Sequence, residues 1–454
     1  NYQLSSAMFC KIDNMEITDE MIANVKARMQ EIINQNLEIR KVVMTKEEAE
    51  EFYSNEKTLR GIVQIDNTQK EGVSLYYCED YFNYFFGVMP VTTAYTDVFD
   101  VIKYGDGFLV RYPSAEKPNE LTNYKSNKKL LSTLEEYEDI HRVLQIDTLY
   151  KLNKEIKEGR TSNVILLSEA LHEKKMANIA DDIAKRKNVK MVLIAGPSSS
   201  GKTTFAKRLG VELRLNGLKP VTISVDNYFV ERVDNPKDEN GDYDFECLEA
   251  IDLELFNNHI KTLLDGGTID VPTFDFKVGT KRYNGEKMHL ADDEILVIEG
   301  IHCLNDKLTS SIPREQKYKI YISDLTVLNI DYCNRISTTD TRLIRRIVRD
   351  NNFRGYSALH TLRTWASVNR GENKNIFPYQ ENCDVMFNSS LIYELSVLKK
   401  QALPLLQEIT NAEPEYAEAK RLVEFLKYFE EVDEGLIPQN SLLREFVGGS
   451  IFGD

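Results

Sequence analysis

Hydrophobic positions follow two rhythms along the chain, and the change between them falls near residue 188. Before it, Met21, Ile22, Val25, Met29, Ile32 and Ile33 recur at helical spacing behind Thr18 and Asp19, which predicts a helix over 17–40. A second short helix is expected at 45–54. Residues 60–112 are enriched in Val, Ile, Tyr and Phe, with an aromatic run from Tyr76 to Phe86 and a Gly105-Asp106-Gly107 turn. That pattern predicts strands and turns, with the rings in a sheet core rather than on a base-stacking platform. Pro113, Pro118 and many Lys, Asn and Ser make 113–130 a linker or exposed loop. Leu144, Ile146, Leu149 and Leu152, then Val164 to Ala184, predict helices across 131–187.

After 188 the pattern becomes strand–helix alternation, the signature of a parallel α/β sheet. Strands are expected at 189–195, 220–225, 294–298, 318–322 and 383–387. Helices are expected from the end of a Gly-rich turn to about 216, and at 248–264, 326–353 and 356–369. The tail from 391 reads as helical, broken at Pro404 and Pro414. The expected fold class is α/β, a parallel sheet flanked by helices, preceded by an α+β domain and followed by a helical extension. The expected domains are 1–115, a linker with bridging helices at 116–187, 188–400, and 401–454.

Composition narrows the function classes. The formal charge is −15, so broad non-specific binding to nucleic acid is not expected. No apolar run approaches the ~20 residues that span a bilayer. The six cysteines form no CxxC pair, which reads as reduced thiols in a cytoplasmic protein. The sequence opens at Asn1 inside a patterned region, and residues preceding it in the natural protein are expected.

The sharpest chemical signal is Gly196-Pro197-Ser198-Ser199-Ser200-Gly201-Lys202-Thr203, followed by Thr204. It fits GxxxxGK[ST] and lies between an apolar strand and a helix, the context a phosphate-binding loop requires. Gly196 and Gly201 permit turns that aim successive N–H groups at phosphate oxygens, and the helix start adds a positive end. Lys202 is expected on the β- and γ-phosphates of ATP and Thr203 on Mg²⁺. The next strand runs into Asp226. If its end neighbours the loop across a strand–helix–strand unit, Asp226 faces the γ-phosphate, where it can accept a hydroxyl proton and touch the metal. Glu299 ends a third apolar strand and is the second expected Mg²⁺ acid. A turn or strand-end structural carboxylate is the alternative at both positions. His302 reads equally as a substrate contact or a structural residue.

An arginine-rich run covers Arg335, Arg342, Arg345, Arg346, Arg349 and Arg354. Several share a helix face by spacing. Guanidinium forks suit phosphoryl oxygens, so the run is read as a lid helix closing over ATP. A solvated charged face and a nucleic-acid helix are the alternatives. Trp365 and the tail beyond 400 are expected to serve packing, the tail on the 188–400 domain or on a second subunit.

Taken in order, the GxxxxGK[ST] loop, Ser224-Val225-Asp226-Asn227-Tyr228-Phe229, Glu299-Gly300-Ile301-His302 and Arg345 to Gly355 resemble the uridine kinase and phosphoribulokinase family of P-loop kinases. The resemblance spans about 188–390. It implies transfer of the ATP γ-phosphate to a nucleoside 5′-hydroxyl, with Asp226 as base and Lys202, Arg346 and Arg349 at the transferred group. It also implies Thr203, Asp226 and Glu299 around Mg²⁺, and Arg354 among the substrate arginines. Tyr228 falls in the matched Asp226 segment and is taken as a substrate contact. Tyr243-Asp244-Phe245-Glu246 is similar to the family's sugar-contacting stretch, with Glu246 where an Asp usually stands. Residues 271–276, including Phe274 and Asp275, are similar to its PxYDF strand. Gly279 stands where the family has a base-reading histidine, which leaves Lys281 and Arg282 as candidate contacts. Uridine or cytidine is the expected acceptor. Another small sugar or alcohol, or a nucleotide-gated RNA-binding protein, is the alternative.

Residues 17–52 and 75–87 also resemble the second half of the editing domain of threonyl- and alanyl-tRNA synthetases. The first histidine is His141, so the family's HxxxH and later Cys/His pairs are missing and no metal or hydrolytic activity is expected there. Such a fusion resembles a group of bacterial nucleoside kinases. It leaves tRNA contact through the first domain, and a homo-oligomer, as open expectations.

Overall fold

The computed structural model describes residues 2–453 except 5, 13, 55–71, 86–88, 115–116, 238–240, 242, 276–277, 327 and 332–333. Part of the expected 60–112 strand region and the Phe86–Gly87 end of the aromatic run therefore lie outside the described residues. The chain divides into two compact units. One comprises Asn1–Lys151 with Val327–Arg335, and the other Leu152–Thr326 with Ile336–Asp454.

In the first unit, β1 (Tyr2–Gln3), β2 (Ala7–Cys10), β6 (Asp100–Tyr104) and β7 (Gly107–Arg111) form an antiparallel sheet in the order β1-β2-β7-β6. The strands β3 (Arg40–Met44), β4 (Val73–Cys78) and β5 (Tyr81–Tyr84) form a second antiparallel sheet. Among the described residues the α-helices are α1 (Asp19–Gln35), α2 (Lys46–Ser54) and α3 (Lys128–Leu144). Helix α1 starts where Thr18 Oγ1 accepts the Met21 N–H, and it stops five residues short of the expected 40. Asn36 turns left-handed there (φ 49°), an end signal that a short polar side chain tolerates. Val73, Leu75 and Tyr84 are buried with Ala49 and Tyr53 of α2, and Phe52, Tyr77 and Phe82 pack on them. The described aromatics of the run thus largely serve a sheet core, although Tyr81 remains 70% exposed.

Helix α4 (Leu149–Lys157) leads into the second unit, which contains α5 (Thr161–Lys185), β8 (Met191–Ala195), α6 (Lys202–Leu215), β9 (Lys219–Ser224), α7 (Leu253–Leu264), β10 (Thr268–Asp275), β11 (Thr280–His289), β12 (Glu294–Glu299) and β13 (Lys317–Ser323). It continues through α8 (Thr338–Arg349), α9 (Ala358–Asn375), β14 (Val385–Asn388), α10 (Glu394–Gln407), α11 (Tyr416–Leu426) and α12 (Arg444–Val447). Five strands form a parallel sheet in the order β14-β13-β8-β12-β9. Every residue of β8 is buried, as a central parallel strand covered on both faces requires. Ile179 and Ile183 of α5, Phe205 and Leu209 of α6, and Leu442 pack on Val192, Ile194 and Ile320.

Four local expectations are corrected. Strands β8 and β9 are not neighbours, because β12 pairs with both. The crossover skips one position, and the loop reaches the Asp226 edge across Glu299. Second, the described residues among 326–337 are not helical. Helix α8 begins only where Ser337 Oγ caps the Asp340 N–H, and a π-helical turn, Asp350–Arg354, follows it. Third, Pro404 does not break the tail, since α10 runs through it. Burial of Leu395, Val397, Leu398, Ala402 and Leu406 offsets the hydrogen bond that proline removes. Fourth, β11 escaped the sequence pattern because its residues are mostly exposed and polar. It forms an antiparallel hairpin with β10, outside the main sheet.

Arg345 of α8 is almost fully enclosed and pairs with Glu394 of α10 through Nε at 2.9 Å. Breaking a buried pair by removing one partner costs about 3–5 kcal/mol, and the low end applies here because the buried Asp324 still lies 3.7 Å from Arg345. Glu394→Ala is therefore expected to lower unfolding free energy by roughly that amount. The measurement is urea unfolding followed by the single tryptophan, Trp365, which lies in this unit. A loss under about 1 kcal/mol would contradict the role given to the pair.

Candidate functional site

The loop after β8 is shaped by contacts that admit few alternatives. A Cβ on Gly196 would lie 1.9 Å from the Ile322 carbonyl oxygen. Gly201 has φ +85° and Ser199 φ +59°, so the backbone reverses handedness around Ser200 before α6 begins. The Ser199 and Ser200 hydroxyls are buried without a hydrogen-bond partner. Lys202 Nζ donates to the carbonyls of Gly196 (3.0 Å) and Pro197 (3.1 Å). Orphaned hydroxyls, a cation and a helix start in one cradle fit a phosphate group. Thr204 is buried, whereas Thr203 faces solvent.

Arginines of α8 hold this loop. Arg342 Nε donates to the Ser198 carbonyl (3.0 Å) and its guanidinium pairs with Glu372 of α9. Glu372 Oε1 in turn accepts the Ser198 N–H (2.8 Å). Arg345 Nη1 donates to the Ser199 carbonyl (3.3 Å). Both arginines are buried, and Arg342 also lies over the Trp365 ring at 5.5 Å. The expected single lid face is thereby corrected. Helical spacing put four arginines together, but Arg342 and Arg345 brace the loop from within the protein. Arg346 Nη1 donates to Ser198 Oγ (2.8 Å). Arg346, Arg349 and Arg354 gather around the buried Asp350, at 3.2, 2.8 and 3.6 Å. Arg335 lies in the 327–335 segment of the first unit, outside α8.

The strand ends supply the acids. Glu299 stands level with Ile194 of β8 and Ser224 of β9, and Ser224 Oγ donates to its Oε1 at 3.0 Å. Burial first, and the nearby Asp226 second, push the Glu299 pKa up to about 7, against the pull of Lys202. Asp226 is exposed yet closely surrounded by protein. That enclosure raises its pKa, while Lys202 and Arg354 lower it. A carboxylate whose proton affinity is raised by a second carboxylate nearby marks a seat that suits a hard cation. The chemistry of these oxygen donors fits Mg²⁺, which prefers a few carboxylates and takes phosphate and water for its other ligands. Among the described residues there is no larger His, Cys, Asp or Glu cluster that could hold a metal.

The pKa of Glu246 is raised to about 7, chiefly by burial and then by Glu372, with Arg346 and Lys202 opposing. Its longer side chain is accommodated by Gly371, where a Cβ would come within 2.6 Å of Glu246 Cβ and Cγ. Phe274, Phe229, Phe245 and Tyr243 form a chain of ring contacts that ends in two partly exposed rings beside Glu246. Three expected substrate contacts are otherwise engaged. Tyr228 is 1% exposed, packs edge-on against Phe256 and shares a hydrogen bond with His259 Nδ1 (3.1 Å). Lys281 Nζ is tied to Asp252 (2.7 Å), which also caps α7. Asp275 pairs with Arg282 (3.0 Å) and accepts the Val278 N–H. His302 is buried, and burial pushes its pKa down to about 4, so it is a neutral core residue. Sequence reasoning missed Glu372 and Gly371, which lie on α9 just past its expected end at 369.

The family model described as Phosphoribulokinase / Uridine kinase family matches residues 191–392. A uridine kinase of Bacillus subtilis is 27% identical over 48% of this chain and 96% of its own length. One from Ligilactobacillus salivarius is 30% identical over 41% of this chain and 78% of its own length. A solved structure of a possible uridine kinase from Bacillus stearothermophilus aligns over 47% of this chain and 100% of its own, at 18% identity and a TM-score of 0.31. The chain belongs to the phosphoribulokinase/uridine kinase family of P-loop kinases.

The raised pKa of Glu299 carries a pH signature. Folding favours its protonated form, so its contribution is complete below its ordinary 4.5 and is lost as pH rises through about 7. Glu299→Gln is expected to raise the melting temperature of the ligand-free chain by an increment that grows between those two values. Melting curves across that range test it, and a pH-independent increment would contradict it.

Proposed function

We propose that this chain transfers the γ-phosphate of ATP to a nucleoside hydroxyl, with uridine or cytidine as the first candidates. The observation that carries the reading is the convergence of Lys202, Asp226, Glu299 and Glu246 closely enough for each acid to respond to the lysine's charge.

The 196–204 loop and Lys202 bind the triphosphate, and the ordered N–H groups act without reorganising during transfer. Thr203, Asp226 and Glu299 hold Mg²⁺, which when bound offsets charge on the β- and γ-phosphate oxygens. Glu246 holds sugar hydroxyls, and the rings of Phe245 and Tyr243 offer a face to the base. Asp226 accepts the proton of the attacking hydroxyl as its oxygen bonds to the γ-phosphorus and the bond to the β-γ bridging oxygen breaks. ADP leaves, and Arg346, Arg349 and Arg354 balance the spreading charge.

One observation keeps a second acceptor class in view. The space a side chain at position 279 would occupy is filled by Arg232, whose Nε, Cβ and Cζ lie 2.6–2.9 Å from that Cβ position. A guanidinium at this place suits another small sugar or alcohol rich in oxygen acceptors. For the first unit, the resemblance to synthetase editing domains is carried forward as a binding module without hydrolytic chemistry.

The test is ADP release from ATP·Mg with a panel of nucleosides and sugars. Uridine- or cytidine-dependent turnover is expected, and Asp226→Asn is expected to lower kcat roughly 10²–10⁴-fold, the usual worth of a general base. Turnover that needs only a non-nucleoside acceptor would move the specificity. No turnover with any acceptor would overturn the reading.

A further inference from the structure

The first turn of α6 is already engaged by an anion of the chain itself. Glu445 Oε2 accepts the Thr204 N–H at 3.0 Å. Thr204 is the third residue of α6, so this N–H is one of the donors that a helix start leaves without an intrahelical partner. Helix starts after Gly-rich loops present such donors to phosphate oxygens. The carboxylate therefore stands on a donor that a bound nucleotide needs.

The contact is built rather than incidental. Leu442 is buried in the core of the parallel sheet and lies 3.8 Å from the Cβ position of Gly201. Phe446 is fully buried under the Arg345 guanidinium, at 5.0 Å. Its carbonyl accepts from Asn352, in the turn that follows the arginine helix (3.1 Å). Arg444 ties the segment to itself through the carbonyls of Glu434 and Ile437. Glu445 thus reaches the loop from a framework anchored on both sides of it. The family match ends at 392, so the match does not account for this segment.

We propose that Glu445 is a determinant of nucleotide affinity: its carboxylate competes with nucleotide phosphate for the Thr204 N–H, and binding requires it to swing away. The proposal rests on the reading of 196–204 as the nucleotide site. The competition is electrostatic as well as steric, because a phosphate on this turn meets a second anion within the same helix-end field. The segment therefore weakens binding of any nucleotide whose phosphates lie along α6, and exchanging the carboxylate for a neutral group relieves that.

The experiment is calorimetric titration of ATP·Mg and ADP·Mg into the wild-type chain, Glu445→Gln and Glu445→Ala, with melting curves of each ligand-free protein. Glutamine keeps the shape and an acceptor oxygen but removes the charge. Both variants are expected to bind about tenfold more tightly while melting at an equal or lower temperature, since a charge-assisted hydrogen bond to the helix start has been lost. A merely structural Glu445 would move affinity and melting temperature downward together. Unchanged or weaker binding in a folded variant overturns the proposal, with the nucleotide-site reading intact. Failure of the wild-type chain and both variants to bind either nucleotide overturns that reading and the proposal with it.

Discussion

The arrangement of the site depends on two buried arginine–carboxylate pairs that grip the backbone of the 196–204 loop. Arg342 and Glu372 bracket Ser198 from both sides, one on its carbonyl and the other on its N–H. Arg345, neutralised by Glu394, takes the carbonyl of Ser199. Ser199 is also where the backbone turns left-handed, a conformation an L side chain adopts only under external constraint. Buried pairs are poor sources of net stability, because desolvation consumes most of their attraction. Their value here is positional. They fix where the loop's donors point before any ligand arrives, which is what electrostatic catalysis of phosphoryl transfer asks of a protein.

The same pairs explain how distant segments share one site. Ser198 and Ser199 follow the central strand, Arg342 and Arg345 lie on α8, Glu372 on α9 and Glu394 on α10. Helix α8 supplies both cations of these pairs, and α9 and α10 supply one carboxylate each. Asp350 continues the logic at the end of α8, collecting Arg346, Arg349 and Arg354 so that three like charges stay close without scattering. Arg354 in turn acts on Asp226, linking the arginine cluster to the acid that follows β9.

What the residues alone revealed follows the range of the interactions. The phosphate loop, Asp226 and Glu299 were legible because a strand end followed by Gly-rich or acidic residues is a local pattern. The division of labour among the arginines was not. Spacing tells that Arg342, Arg345, Arg346 and Arg349 sit on neighbouring turns, but not which of them another helix will cover. Two proved to be braces. Tyr228 and Lys281 were drawn into the site by motif position, and motif position gave no sign that His259 and Asp252 engage them. The place of β12 between β8 and β9 depends on pairings 75 and 105 residues apart, and adjacency in sequence suggested otherwise. Glu445 carried no signal, since a lone glutamate in an apolar tail looks like a solvated face until the tail's docking is known.

A preorganised loop makes nucleotide affinity the readout of the bracket. The direct measurement is the ATP·Mg dissociation constant of Arg342→Met, which keeps most of the side-chain volume but removes the donor to Ser198 and leaves Glu372 without its cation. Binding weaker by about tenfold or more, in a chain that keeps its cooperative unfolding, is the result expected from losing a charge-assisted bond together with the order it imposes. Wild-type affinity in that folded variant would contradict the account, because the loop would then hold its shape without the pair.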